Sequence, residues 1–246
     1  MIDWLLARWR GKPVLIDDAQ WQDAEYPLVF LDRLTADERQ RLRELATAFI
    51  AAKEWSAAGG LQLTPAIQLS IALQACLPIL NLGLDWYDGW VGIVVYPGDF
   101  VIPRQIVDES GVVHEFDDQV LGEAWEGGPV LLSWFDNLNE IGDVSLVIHE
   151  FAHKLDMRNG ETDGMPPLHA NMSANDWISA FAPAYEDFCR RVDAGEETTI
   201  DPYGAEHPAE FFAVASEVFF EAPDLLHDAY PAVYAQLCLF YRQKPL

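Results

Sequence analysis

The 246-residue chain is half hydrophobic, which provides for a sizeable buried core and excludes a disordered chain. Its 15 basic and 40 acidic residues leave a formal net charge of −25, which repels a phosphate backbone and an anionic bilayer surface, so neither nucleic acid nor membrane is an expected partner. Three scattered cysteines (Cys76, Cys189, Cys238), no apolar run of membrane-spanning length and no cleavable leader in Met1 to Arg10 together predict a reduced, cytoplasmic protein.

In chain order, Thr35-Ala36-Asp37-Glu38 has the form of a capping box, and the period of Leu42, Leu45, Ala46, Phe49 and Ile50 predicts a helix running to about Trp55. Gly59-Gly60 breaks the pattern. A second helix is expected from Pro65, after Thr64, to the neighbourhood of Cys76, with Ile67, Ile71, Ala72 and Ala75 inward. Strand signals then take over at Trp90 to Tyr96 and Phe100 to Val107, with a turn at Asp108 to Gly111 and a short strand around Val112 to Phe116. His114-Glu115 imitates half of a metal motif, but Asp118 stands where a second histidine would be, and a structural role is expected for it. Val130 to Phe135 reads as the last strand before the next helix.

The next helix carries the most informative residues: His149-Glu150-Phe151-Ala152-His153, an HExxH motif. Positions i and i+4 share a helix face, so the two imidazoles can address one divalent metal, and Glu150 stands where a carboxylate can act on water held there. Chance supplies on the order of 0.01 such matches in a chain of this composition. Around the motif, Val144, Leu146, Val147, Ile148, Phe151, Ala152 and Leu155 make the helix largely buried, and burying two imidazoles and a carboxylate without a partner is costly. A metal supplies that partner.

Gly160 to Asn171 reads as a loop that shapes the cleft, followed by helices over about Ala174 to Ala194, Pro208 to Glu221 and Pro231 to Arg242. A catalytic metal needs a third protein ligand. Its expected source is the stretch Tyr203 to Glu217, a turn and then a helix opening near Pro208, with Glu210 in the first helical turn; Glu206, Glu217 and Glu221 are rival carboxylates, Glu217 foremost because seven residues past Glu210 it shares a helix face, and His207 would make a three-histidine site.

The strings HEFAHKLD and YGAEHPAEFFAVASEVFFE resemble those of the Mlc titration factor family of zinc-dependent peptidases, and segments from about Leu28 to about Tyr241 fit the same pattern. More distantly, Tyr203 followed by Glu210 resembles the tyrosine and glutamate of the anthrax lethal factor catalytic domain. The resemblance implies that His149, His153 and Glu210 bind Zn2+, that Glu150 is the general base and that Tyr203 supports the oxyanion. It implies an α+β, zincin-like fold with a small mixed sheet, formed as one unit over 1–246: a helical portion over about 1–85 and a catalytic core over about 86–246, with the Val130 to Phe135 strand at the sheet edge, where a peptide could add alongside Leu131, Leu132 and Ser133. Many HExxH enzymes with a glutamate ligand place an acidic residue four positions after it; here that residue is Val214, and Asp156 is the nearest alternative partner for the zinc histidines.

Two functions follow as expectations from the resemblance. The first is hydrolysis of short peptides, aminopeptidase-like. The second is binding of an Mlc-like transcriptional repressor, from whose sequestration the family takes its name, with a zinc site that need not be proteolytic.

Overall fold

A computed structural model describes residues 16–107, 113–135 and 145–246; the stretch Met1 to Arg10 and the turn expected at Asp108 to Gly111 lie outside them. The fold is α+β. Among the described residues are eight α-helices and two sheets. Helices α1 (Asp18–Glu25), α2 (Ala36–Ala52) and α3 (Pro65–Cys76) precede most of the strands, with β1 (Glu54–Ala57) between α2 and α3. Strands β2 (Gly92–Pro97), β3 (Phe100–Val107), β4 (Val113–Val120), β5 (Gly122–Ala124) and β6 (Val130–Trp134) follow, then helices α4 (Leu146–Asp156), α5 (Ala174–Asp193), α6 (Pro208–Glu221), α7 (Pro223–Ala229) and α8 (Pro231–Tyr241).

The early helix starts follow from their caps. Thr35 and Glu38 form the capping box at α2, and Thr64 accepts from the Ile67 N–H in front of Pro65 at α3. Helix α2 stops at Ala52, short of Trp55, because Lys53 turns extended and the chain enters β1, which pairs in parallel with β2. Sequence periodicity missed β1: a four-residue strand directly after a helix carries no breaker to announce it.

The main sheet has the order β1-β2-β6-β5. The first three strands run parallel, and β5 is antiparallel to β6, with Gly122 opposite Leu132 and Ala124 opposite Val130. Strand β6 is therefore internal, correcting the expectation that it forms the edge: the short β5, made by the chain's return from the β3–β4 hairpin, covers it. Strands β3 and β4 form a separate antiparallel pair, and His114 and Glu115 lie within β4, opposite Ile106 and Gln105.

The core is dominated by aromatic rings that stack the helices onto the sheet. Phe151 of α4 meets Phe49, Tyr87 and Trp90 edge-on at centroid distances of 5.6, 5.1 and 5.7 Å. Such buried rings contribute about 1.5–3 kcal/mol each. Helix α6 is held by Phe211 and Phe212 against Trp177, Phe181 and Phe188 of α5, and by Arg33, whose guanidinium donates to the last carbonyls Phe220 O and Glu221 O at 2.9 and 3.1 Å. No helix among the described residues is long and apolar enough to cross a membrane.

Candidate metal centre

Helix α4 is buried along its length from Val147 to Asp156. Its start is fixed by Ser145, which accepts from the Ile148 N–H and donates at 2.9 Å to Gln74 of α3. One face carries Phe151 and Leu155 into the core, and the other presents His149, Glu150 and His153. Helix α6 faces it. His207 is the N-cap of α6, its Nδ1 accepting from the Ala209 N–H at 3.2 Å, which engages that nitrogen in capping instead of in the three-histidine cluster considered above. Glu206 is exposed. Glu210, in the first turn, points at the histidines.

The three side chains converge. His149 Nε2 and Glu210 Oε2 are 3.0 Å apart, His153 Nε2 and Glu210 Oε2 3.2 Å, and the two Nε2 atoms 3.1 Å. Two imidazole nitrogens facing one another this closely need something electrophilic between them. The edges of a tetrahedron around a zinc ion with bonds of about 2.0–2.1 Å are about 3.3 Å long, so two nitrogens and one carboxylate oxygen are spaced as a metal would need them. This donor set can hold a divalent metal.

Glu217, a rival third ligand in the sequence, stands outside the triangle. It lies seven residues past Glu210 on the same face of α6, and its Oε1 stands 2.5 Å from His149 Nδ1, on the far side of the ring from Glu210. A carboxylate there holds the proton on Nδ1 and leaves the Nε2 lone pair facing the cluster. Asp156, the expected alternative, makes no hydrogen bond to either histidine: fully buried, it accepts from the Gly164 N–H at 2.8 Å and so ties the loop after α4. Its other oxygen and His153 Nδ1 have no hydrogen-bond partner among the described residues.

Electrostatics mark the cluster as one built around positive charge. Burial alone would depress the pKa of His149, but the hydrogen bonds to Glu210 and Glu217 outweigh it and lift the imidazole to about 10. Burial opposes ionisation of Glu210, yet its two histidine contacts hold it well below the ordinary carboxylate range. Glu150 is fully enclosed: burial first, then the neighbouring Glu210, Glu123 and Glu217, push it to about 8 against the pull of His149. One of its oxygens has no hydrogen-bond partner among the described residues. A divalent cation in the triangle would relieve all these carboxylates at once.

Tyr203 sits in the 3₁₀ turn Pro202–Ala205, opened by Asp201, whose side chain accepts from the Tyr203 N–H at 2.9 Å. The ring is about half exposed, with its centroid 5.9 Å from that of His149. The expected cleft loop, after Gly160, reaches the site through Gly164, which packs on the start of α6: a Cβ at Gly164 would stand 2.5 Å from Pro208 O.

The sequence matches the model of the glucose-regulated metallo-peptidase M90 family over residues 3–242. It is 40% identical over 253 aligned residues to Mlc titration factor A of Yersinia pestis (strain Pestoides F), covering 100% of this chain and 92% of the relative. The same identity and coverage hold for Mlc titration factor A of Yersinia pseudotuberculosis serotype O:1b (strain IP 31758).

Proposed function

Because the chain belongs to the glucose-regulated metallo-peptidase M90 family, we propose that it is a zinc peptidase cleaving short peptides, aminopeptidase-like, with His149, His153 and Glu210 as the zinc ligands. The observation that carries this reading is the triangle of His149 Nε2, His153 Nε2 and Glu210 Oε2, with sides of 3.0 to 3.2 Å, next to a buried Glu150. Three protein donors leave room for solvent, as a catalytic site requires. Zinc, when bound, lowers the pKa of a coordinated water to about 7 and polarises a carbonyl.

The chain's own groups do the rest. Glu150 takes a proton from the attacking water and delivers it to the departing amine as the C–N bond breaks, so water is added across the peptide bond. Tyr203 donates its hydroxyl proton in a hydrogen bond to the oxygen that becomes negative in the transition state. Glu217 holds His149 in the tautomer that ligates. The substrate lies along the outer edge of β5, which among the described residues is paired on one side only, with β6, and passes beside Glu150. The whole chain acts as one unit in the cytoplasm, a reading that the contiguous core of the described residues and the three free cysteines support.

Glu150→Gln tests the assignment. The variant is expected to retain zinc and to lose turnover by about 10²–10⁴-fold on a peptide panel, while a chelator abolishes wild-type activity. Wild-type rates in Glu150→Gln would refute it.

A second reading rests on the relatives' name. As Mlc titration factors they are named for an Mlc protein, and this chain would bind an Mlc-like repressor with proteolysis secondary. Binding that persists in Glu150→Gln would separate capture from cleavage.

A further inference from the structure

Helix α4 meets strand β5 at two points four residues apart on one helical face. At the first, the side chain of Glu150 passes directly over Gly122. A Cβ on Gly122 would collide with Glu150 Oε1 and lie 2.8 Å from Cγ and from Cδ, closer than unbonded heavy atoms sit around real Cβ atoms. At the second, the Lys154 ammonium, buried one turn on, donates to Trp125 O, immediately beyond the end of β5, and at 2.8 Å to Gly128 O in the turn that leads to β6. Lys154 thus pins the strand to the helix, and Gly122 sets how close the strand comes to Glu150.

Turn geometry does not require this glycine. Gly122 is not among the residues with positive φ, and it lies in a paired strand opposite Leu132, where any residue could adopt the backbone. Its missing side chain is accounted for by the neighbouring carboxylate. Glu150 is enclosed by the helix behind it and the strand in front, so an added methyl would displace the carboxylate, which has the only rotatable bonds in the contact.

We propose that Gly122 is the positioning residue for Glu150: the gap at its Cβ is the slot that holds the carboxylate at the height from which it exchanges protons with water and leaving amine. This rests on the reading of Glu150 as the proton carrier.

The test is Gly122→Ala in the full-length, zinc-loaded protein. Expected is a fall in kcat of about 10–100-fold, with KM changed less than about 2-fold and bound zinc unchanged. In a Glu150→Asp background, whose carboxylate is one methylene shorter and withdraws from the strand, the same substitution should change kcat by less than about 3-fold. A comparison of melting temperatures needs no turnover. Gly122→Ala should lower Tm in the wild-type background by about 3–6 °C and leave it unchanged or higher in Glu150→Ala, where the methyl fills vacated space. Equal Tm losses in both backgrounds, or a wild-type kcat in Gly122→Ala, would overturn the proposal. A wild-type protein without peptidase activity would instead sink the functional reading, and the Tm comparison would still decide the contact.

Discussion

Glu210 and Glu217 grip His149 from opposite edges of its ring, one at Nε2 and one at Nδ1. Both carboxylates come from one face of α6, two turns apart. Outer partners of this kind fix the tautomer and raise ligand basicity, and their loss typically lowers metal affinity 10–100-fold. Glu217→Ala is therefore expected to weaken zinc binding by about that factor in a competition titration with a chelator of known affinity, and Glu217→Gln by less, since its amide oxygen still accepts the Nδ1 proton; wild-type affinity in Glu217→Ala would contradict the role. The HExxH residues were legible because the i, i+4 spacing is itself the geometry. Glu217 was legible only as a residue sharing Glu210's face: helical period reports direction, whereas the division into inner and outer positions depends on how far α6 lies from α4. Gly122 left no signal, because a glycine selected by a neighbour's side chain looks in sequence like any other.

At the scale of elements, the site is two helices brought together by a loop. Gly164 lies at φ +80°, its N–H bound to Asp156 at the end of α4, its carbonyl accepting from Trp177 Nε1 at 3.2 Å, and the space a Cβ would take filled by the Pro208 carbonyl at the start of α6. It spaces the two ligand-bearing helices. Gly164→Ala imposes both a left-handed alanine and a collision with Pro208 O, and is expected to cost about 1–3 kcal/mol in denaturant unfolding and to reduce retained zinc. An alanine variant as stable as wild type would show that the loop is a passive connector. The starts of α2 and α3 could be read directly from Thr35 and Thr64, since a cap is a local bond between neighbours in sequence. Strands β1 and β5, of four and three residues, were not readable, because pairing partners distant in the chain define them and their own residues do not. For the same reason β6 was wrongly expected at the sheet edge.

Across the whole molecule, Lys53 joins the helical portion to the sheet. It follows α2, donates to Tyr87 O and Trp90 O at 2.7 and 2.8 Å, and lies 3.5 Å above the Trp90 ring. Burial lowers its pKa to about 7, with nearby Asp88 opposing and Lys154 assisting. The unfolded chain keeps this lysine protonated to its ordinary value of about 10.4. Between about pH 7 and 10.4 the unfolded state binds the extra proton, so the contribution of Lys53 to stability rises with pH over that window and is flat below it. Lys53→Met removes this contribution. The stability difference, wild type minus variant, is expected to grow between urea titrations at pH 7 and pH 10, and a constant difference would show that the ammonium is solvated. His149 and His153 could be anticipated from the motif, and the α+β class and Glu210 through the resemblance to a known family; the parallel β1-β2-β6 arrangement could not, because it depends on segments separated by helices and a hairpin. The separation between His153 and Glu210, 57 residues, has one more consequence. On the ribosome, where chains emerge amino terminus first at about 5–20 residues per second, the two imidazoles appear seconds before their carboxylate partner. A nascent or truncated chain ending ahead of Glu210 therefore offers a cation only two of the three donors, so the triangle cannot close until synthesis has passed the start of α6.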